Sequence, residues 1–180
     1  FLDETGVDEQ PAHWTEPAPP RGRANHPVHG VSWQGVLLYT EWLSERSGSA
    51  FRVPTEAEWE RAARGTDARA YPWGEEFSAA RCNTREGGIG GTTPIGIYPD
   101  GASACGALDL SGNVEELVAD LYRPYPGSRF SDPDYGTHRV TRGGVWSLDG
   151  DLARCDRRHG TAFAGPTGFR LARSAAHGWL

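Results

Sequence analysis

The sequence contains no lysine, no recognisable cysteine motif and no long apolar run. All 18 basic residues are arginine, against 24 acidic residues, which gives a formal net charge of −6. A chain with this acidic excess is a poor general binder of nucleic acids or anionic membranes. No apolar run approaches the roughly 18 residues of a membrane span, and no signal peptide is recognisable. We therefore expect neither nucleic-acid binding nor membrane insertion, while the cell compartment stays open. Exclusive arginine usage is typical of a GC-rich genome and compatible with a thermostable protein.

The cysteines do not form a recognisable metal or disulfide framework. Cys82, Cys105 and Cys155 are an odd number without a Cys-x-x-Cys spacing. The pattern therefore predicts no zinc site. One disulfide remains compatible with it, but three buried free thiols are the preferred interpretation.

The composition indicates one loop-rich domain. The chain has 180 residues with 24 Gly, 13 Pro and 7 Trp. Gly and Pro at this frequency favour turns over long regular elements, and Trp can anchor loops to a small scaffold. Residues 1–25 are polar and Pro-rich, and we expect them to form an extended strap, the tail of a longer segment. Residues 26–180 are expected to form the domain itself.

Two helices have clear start and stop signals. Ser32 is placed to cap a helix that ends before Gly48. Thr55 and Glu58 have the spacing of a capping box, which predicts a second helix ending near Arg64, before Gly65. Apolar residues recur at helical spacing in the segment that follows Ser32.

The remaining chain is expected to consist of short strands and long loops. Strands are predicted at residues 51–53, 117–122, 139–146 and 168–173, with a kink at Gly143–Gly144 in the third. The stretch 71–106 has no helical period, and we expect Trp73, Ile95, Ile97 and Tyr98 to tie it to the core.

Six blocks, in order, resemble the formylglycine-generating-enzyme (sulfatase-modifying factor) family. They are His26–Trp33, Arg52–Glu60, Tyr71–Gly74, Gly106–Glu116, Arg142–Trp146 and Gly168–Arg170. The resemblance implies an α+β C-type-lectin-like fold with two helices, a small twisted antiparallel sheet and long loops. Most of these residues are expected to specify the scaffold; for example, Arg170 is expected to pair with a buried carboxylate and Trp59 to face the core.

The resemblance also implies structural calcium. Asp109, Gly112, Val114 and Glu116 match positions that bind calcium in similar family members. Two carboxylates flanking a turn with free carbonyl groups suit the oxygen chemistry of this ion. The competing interpretation is that Asp109 caps a turn and Glu116 lies in solvent. A second, weaker calcium position would use Asn83, but a glycine stands where its carboxylate partner would align.

The catalytic signature of the family is incomplete in this chain. Enzymes of this family use a cysteine pair shortly after the Gly-Gly kink, and thiolates suit Cu(I). The corresponding positions fall near Leu148 and Ala153, while Cys155 occupies a different position and is interpreted as a small buried hydrophobe. The resemblance to iron-dependent sulfoxide synthases would require histidines from a separate helical domain. We expect no catalytic residue in this chain, and neither copper nor iron.

The resemblance extends to the non-catalytic variable proteins of diversity-generating retroelements. These display a variable patch between the Arg-Gly-Gly block and the last block, which favours a surface here that binds a protein or another macromolecule. The predicted ligand-binding residues are Trp146, Ser147, Leu148, Asp149, Asp151, Asp156, Arg158, His159, Thr161 and Phe163. The alternative is a formylglycine-generating or sulfoxide-synthase-like oxidoreductase whose catalytic ligands lie outside this chain. An ordinary solvated loop of an inactive relative is the simplest interpretation of the same segment.

Overall fold

The helices begin and end where their capping residues predict. A computed structural model describes residues 1–161 and 165–174, with helices α1 (Leu2–Thr5), α2 (Trp33–Ser47) and α3 (Glu56–Arg64). Ser32 Oγ accepts a hydrogen bond from Gly35 N at 2.9 Å, and the left-handed Gly48 follows the last turn of α2. Both ends of the first predicted helix are therefore confirmed.

Helix α3 begins with the predicted capping box. Thr55 Oγ1 accepts from Glu58 N at 3.2 Å, while Glu58 Oε2 accepts from Thr55 N at 2.9 Å. Two backbone amides at the helix start, which lack partners within the helix, are thereby satisfied. The helix places Trp59 in the core, where it is fully buried, as the sequence predicted.

Six short strands form two sheets. They are β1 (Phe51–Arg52), β2 (Glu115–Leu121), β3 (Arg139–Arg142), β4 (Arg158–Thr161), β5 (Thr167–Phe169) and β6 (Ala172–Arg173). Strands β4, β3, β2 and β5 lie side by side in that order, and β1 pairs with β6. The described residues thus form the expected α+β fold with a small sheet.

Two details of the sheet differ from the sequence prediction. The segment 168–173 was expected to be one closing strand, but it divides into β5 and β6, which belong to different sheets. Strand β5 also runs parallel to β2, with Glu116 opposite Gly168, whereas the other pairs among these six strands are antiparallel in the described residues. Pairing of distant strands depends on tertiary contacts, which local sequence patterns do not encode.

The four-stranded sheet has apolar cores on both faces. Val118 and Val140 pack with Trp59 of α3 on one face. Leu117, which points to the opposite face because side chains alternate along a strand, packs with Val36 of α2. The sheet is therefore held between α2 and α3, and its ends carry the residues considered below.

Three sequence predictions about burial are wrong. Ile95 and Ile97 were expected to tie the long loop to the core, but they are 61% and 48% exposed. Cys82, Cys105 and Cys155 are all free thiols, as preferred, but Cys105 is exposed. The loop 71–106 instead attaches through the buried Tyr71 and Pro72 and through polar contacts such as those of Asn83. Among the described residues, no helix is both long and apolar enough to cross a membrane.

The N-terminal strap lies across α2 and the end of the sheet. Phe1 packs edge-on against Tyr39 with ring centroids 5.6 Å apart. Further along, Ala12 N donates to Gly30 O at 2.8 Å, and Gly30 N donates to Thr167 O at 2.9 Å. These bonds link the strap to β5, so it forms one wall of the cavities at this end of the molecule.

Candidate functional site

A left-handed turn organises the predicted calcium-binding residues. Asp109 and Asn113 have φ angles of 58° and 65°, which are uncommon for residues other than glycine. Gly112 is required in this turn, because a Cβ atom there would stand 2.3 Å from Asn83 O. Asn113 N donates to the same carbonyl at 2.8 Å. The turn is thus clamped against the segment that contains Asn83.

Glu116 is buried rather than solvated. Its carboxylate accepts from Arg170 through Nε and NH2, each at 2.5 Å, and from Trp59 Nε1 at 2.6 Å. The residue is 5% exposed. The interpretation that Glu116 lies in solvent is therefore wrong, and the expectation that Arg170 pairs with a buried carboxylate is confirmed.

Asp109 is a partly buried acid with spare acceptor capacity. Its Oδ2 accepts from Gly96 N at 2.7 Å. Burial raises the pKa of this carboxyl, and the nearby Glu116 acts in the same direction, while the Gly96 hydrogen bond and Arg170 oppose the rise. A bound cation would relieve this cost by favouring the charged form.

The oxygen atoms around this turn are of the kind that calcium binds. Glu116 Oε1 carries one hydrogen bond and can accept another, and Asp109 Oδ1 is the second carboxylate oxygen available. No group of three or more His, Cys, Asp or Glu side chains suited to a metal occurs in the described residues. A site here would therefore depend on the carbonyls of Gly112 and Val114 as well, as calcium sites often do.

Asn83 presents an unpartnered oxygen at the second candidate calcium position. Its Nδ2 donates to Gly91 O at 2.9 Å and to Asn113 Oδ1 at 3.3 Å, but its Oδ1 has no partner and the residue is 1% exposed. A buried oxygen without a donor costs about 1–3 kcal/mol. This orphaned atom is of the kind that a cation could contact, although the carboxylate that the resemblance would pair with it is replaced by a glycine in this chain.

The family resemblance places the expected cysteine pair near Leu148 and Ala153, and these two residues lie at a tightly packed turn. Gly143 and Gly144 are left-handed, with φ angles of 93° and 70°. A Cβ on Gly144 would approach Ala153 Cα to 2.8 Å, so the turn that holds Ala153 packs directly on this kink. Leu148 is partly buried, and its carbonyl accepts from Arg85 N at 3.0 Å. Both positions carry aliphatic side chains.

The two buried thiols are held in the protonated form. Burial raises the pKa of Cys155 to about 12 and that of Cys82 to about 11. A thiolate is the form that attacks substrates or binds a soft metal. Cys155 therefore behaves as the small buried hydrophobe that the sequence predicted.

The first part of the predicted binding surface is fixed on the long loop. Asp149 pairs with Arg85 at 2.5 Å, and Gly150 N donates to Glu86 Oε1 at 2.8 Å. Along this rigidly anchored segment Ser147, Asp149 and Asp151 are exposed. Trp146 is partly buried, and its backbone N donates to Asn113 O at 3.1 Å.

Strand β4 divides the second part of the predicted surface between two faces. Arg158 points toward α3, where Nε and NH2 bond to Glu56 at 2.7 and 3.0 Å and the guanidinium lies over the Tyr125 ring. Asp156 is exposed and pairs with Arg154. Arg158 is thus committed to internal contacts, whereas Asp156 is available to a partner.

His159 occupies the opposite face of the sheet. Its Nε2 lies 3.1 Å from Glu115 Oε2, and this hydrogen bond raises the pKa of the imidazole. Thr161 follows on the same face, opposite Arg139. Phe163 lies outside the described residues. Because Glu115 is two residues from Asn113, which contacts Trp146, His159 and Trp146 belong to one end of the sheet.

Sequence reasoning missed Glu115 and the contact between His13 of the strap and His29. Glu115 precedes Glu116 at the start of a largely apolar strand, and such a pair of acids could have indicated two buried partners, one on each face. His13 and His29 stack in parallel with centroids 4.0 Å apart. Their separation in the sequence gives no signal of this contact.

This sheet between two helices, with a left-handed turn clamped by long loops, defines a C-type-lectin-like domain of the formylglycine-generating type. The chain belongs to the family described as sulfatase-modifying factor enzyme 1-like domain, which matches residues 1–175.

Curated relatives include a protein kinase and formylglycine-generating enzymes. The serine/threonine-protein kinase Pkn1 of Chlamydia trachomatis is 37% identical over 163 residues, covering 84% of this chain and 25% of the kinase. The formylglycine-generating enzyme of Streptomyces coelicolor is 35% identical over 201 residues, covering 94% of this chain and 60% of the enzyme. The chain thus spans less than two thirds of either relative.

Solved structures share the same fold. PvdO from Pseudomonas aeruginosa superposes with a TM-score of 0.75 and 30% identity, covering 97% of this chain and 74% of that one. Treponema denticola variable protein 1 superposes with a TM-score of 0.74 and 21% identity, covering 90% and 76% of the two chains. The second likeness is one of fold alone.

Proposed function

We propose that this chain is a non-catalytic ligand-binding domain that displays a surface built from residues 146–163. The observation that carries the proposal is the pair Leu148 and Ala153 at the positions of the family's catalytic cysteines. The remaining buried thiols do not substitute for them, since burial raises the pKa of Cys155 to about 12 and that of Cys82 to about 11. The similarity in fold to Treponema denticola variable protein 1 also favours a binding role.

The surface combines exposed side chains with a fixed backbone. Ser147, Asp149, Asp151, Asp156 and His159 are exposed. Their backbone is held by the 85–86 segment and by the sheet, so substitutions there should leave the scaffold intact. The partner is proposed to be a protein or another macromolecule, because the surface is broad rather than a closed cleft.

We also propose structural calcium at Asp109, Gly112, Val114 and Glu116, with Asn83 as a weaker second position. The partly buried Asp109 and the orphaned Asn83 Oδ1 support this proposal. Calcium would supply positive charge to buried oxygens and hold the loops on either side of the turn. Its role would be to rigidify the platform and not to take part in a reaction.

Copper-dependent catalysis by this chain would contradict the binding proposal. The protein, loaded anaerobically with Cu(I), is expected to consume no oxygen in the presence of a cysteine-containing peptide. The matched control is the Streptomyces coelicolor relative under the same conditions. Copper-dependent oxygen uptake by this chain would instead support the alternative, an oxidoreductase of the formylglycine-generating type.

Sequencing many copies of the gene and its flanking DNA tests the display proposal directly. A reverse-transcriptase gene nearby, with a near-copy of the codons for residues 142–170, is expected. Variation should concentrate at Ser147, Asp149, Asp151, Asp156 and His159 and spare Arg158, whose guanidinium is bound to Glu56. Uniform or absent variation across these codons would overturn the display of a variable surface.

A further inference from the structure

A cavity lies between the strap and the end of the sheet. It is separate from the turn at residues 109–113 and from the exposed part of the binding surface. Its volume is about 660 Å³. The strap and the 26–30 segment form one side, and Thr92, Trp146 and Pro166 form the other. A volume of this size is within the range of small-molecule sites.

The charge of this cavity is unusual for such an acidic chain. The chain carries 24 acidic residues, yet none of the described residues that line the cavity is Asp or Glu. Arg23 is the fixed cation among them. An anion entering the cavity would therefore meet attraction from Arg23 without repulsion from a lining carboxylate.

Arg23 is held in place with donors to spare. Its NH1 donates to Thr92 O at 3.0 Å and lies 3.0 Å from His26 Nδ1. Among the described residues, the side-chain hydrogen bonds of Arg23 all come from NH1, so Nε and NH2 remain for a ligand. Two donors in one plane match the two oxygens of a carboxylate.

Aromatic rings provide the other half of the site. His13 and His29 stack with an interplanar angle of 5°, and Trp14 meets His13 edge-on at 6.4 Å. Burial, followed by the charges of His13 and Arg23, lowers the pKa of His29 to about 4. The pKa of His13 is also lowered by burial. At neutral pH these rings act as uncharged flat surfaces, together with the indole of Trp146.

We propose that this cavity binds a small planar aromatic carboxylate, with its ring among Trp146 and the stacked histidines and its carboxylate on Arg23. One fixed positive charge suits a singly charged acid better than a phosphate group. The proposal goes beyond the binding surface described above. It needs Trp146 but none of Ser147, Asp149 or His159, so either proposal can fail without the other.

Titration calorimetry at pH 7.5 with 2-naphthoate and its neutral counterpart 2-naphthamide tests the charge contact. Saturable binding of the acid is expected, with the amide at least about tenfold weaker. Arg23→Gln should weaken the acid about tenfold and leave the amide unchanged. The matched control is Arg21→Gln, an exposed arginine outside the cavity lining. Equal affinities for acid and amide, or no binding at millimolar concentration, would overturn the proposal.

The ring contact has its own variant. Trp146→Leu should weaken both probes by at least about tenfold, since stacking surface is lost for each. Because Trp146 is only partly buried, the variant is expected to fold, which its circular dichroism and melting curve would verify. Unchanged affinity in a folded Trp146→Leu variant would contradict binding in this cavity.

Discussion

Arg170 and Glu116 form a two-point ion pair across the parallel strands, with Nε and NH2 each 2.5 Å from a carboxylate oxygen. The pair joins the last family block to the turn at residues 109–113, because Arg170 NH2 also donates to Leu108 O at 3.1 Å. Trp59 adds a third donor to Glu116. Helix α3, strand β2 and the segment after β5 therefore meet at one buried carboxylate.

Glu116→Gln should lower the free energy of unfolding by about 3 kcal/mol, because it leaves the Arg170 charge without its partner. Urea denaturation measures the change. Asp149→Asn is the matched control, since the Asp149–Arg85 pair is 58% exposed on both sides and should cost less than about 1 kcal/mol. Equal losses in the two variants would mean that the buried pair contributes no more than a surface pair.

Calcium is expected to raise the melting temperature, and Asp109→Ala should abolish that rise. The readout is the difference between melts with calcium and with EDTA, so any loss of stability in the variant without calcium does not confuse the result. Asp100→Ala, at an exposed acid in a neighbouring loop, should leave the difference unchanged. A wild-type melt that is insensitive to EDTA would remove the calcium proposal.

Gly144→Ala should destabilise the fold by more than about 2 kcal/mol. The residue is left-handed, which costs roughly 1–2 kcal/mol for alanine, and its new Cβ would lie 2.8 Å from Ala153 Cα. Gly22→Ala is the control, because Gly22 is also left-handed but nothing lies within 4 Å of the added atom. The difference between the two urea-unfolding free energies isolates the steric part. If both variants lose the same free energy of unfolding, the turn at residues 150–153 can move aside without a steric cost.

The fold was predictable from sequence where the determining contacts are local. Both ends of α2 and the start of α3 follow from capping residues that act on the backbone a few residues away, as Thr55 and Glu58 do at the start of α3. The parallel pairing of β5 with β2 was not predictable, since it joins residues far apart in the chain. The same limit applies to the candidate sites: Asp109 and Glu116 lie in one motif, whereas His159 meets Glu115 only through sheet register.

His159 should make stability depend on pH as the pH rises above the unfolded pKa of about 6.5. The Glu115 hydrogen bond raises the pKa of His159 in the folded protein, so its contribution is fully present below the unfolded value of about 6.5. It is lost as pH rises through the folded pKa. His159→Gln should remove this part of the pH dependence in urea denaturation between pH 6 and 9. A wild-type profile that matches the variant across this range would contradict the charged pairing.

The His13–His29 stack should weaken the molecule in acid. The folded pKa of His29 is lowered to about 4, chiefly by burial and then by His13 and Arg23, while the unfolded value is about 6.5. Between these values the unfolded chain binds a proton that the folded chain does not, so stability falls as pH drops from about 6.5 toward 4. Among the described residues that line this cavity, the charged and titratable groups near the ring are His13, Arg23 and His26, and none of them is an acid that could offset the added charge.

His29→Asn is the variant that isolates this effect, because it removes the titrating ring and keeps a polar side chain. Its free energy of unfolding should decline less steeply than that of the wild type between pH 6.5 and 4, whatever its value at pH 7. Carboxylates elsewhere titrate in the same range, but they contribute equally to both proteins and cancel in the difference. If the free energies of unfolding of the two proteins fall in parallel between pH 6.5 and 4, then His29 accepts its proton without cost in the folded state.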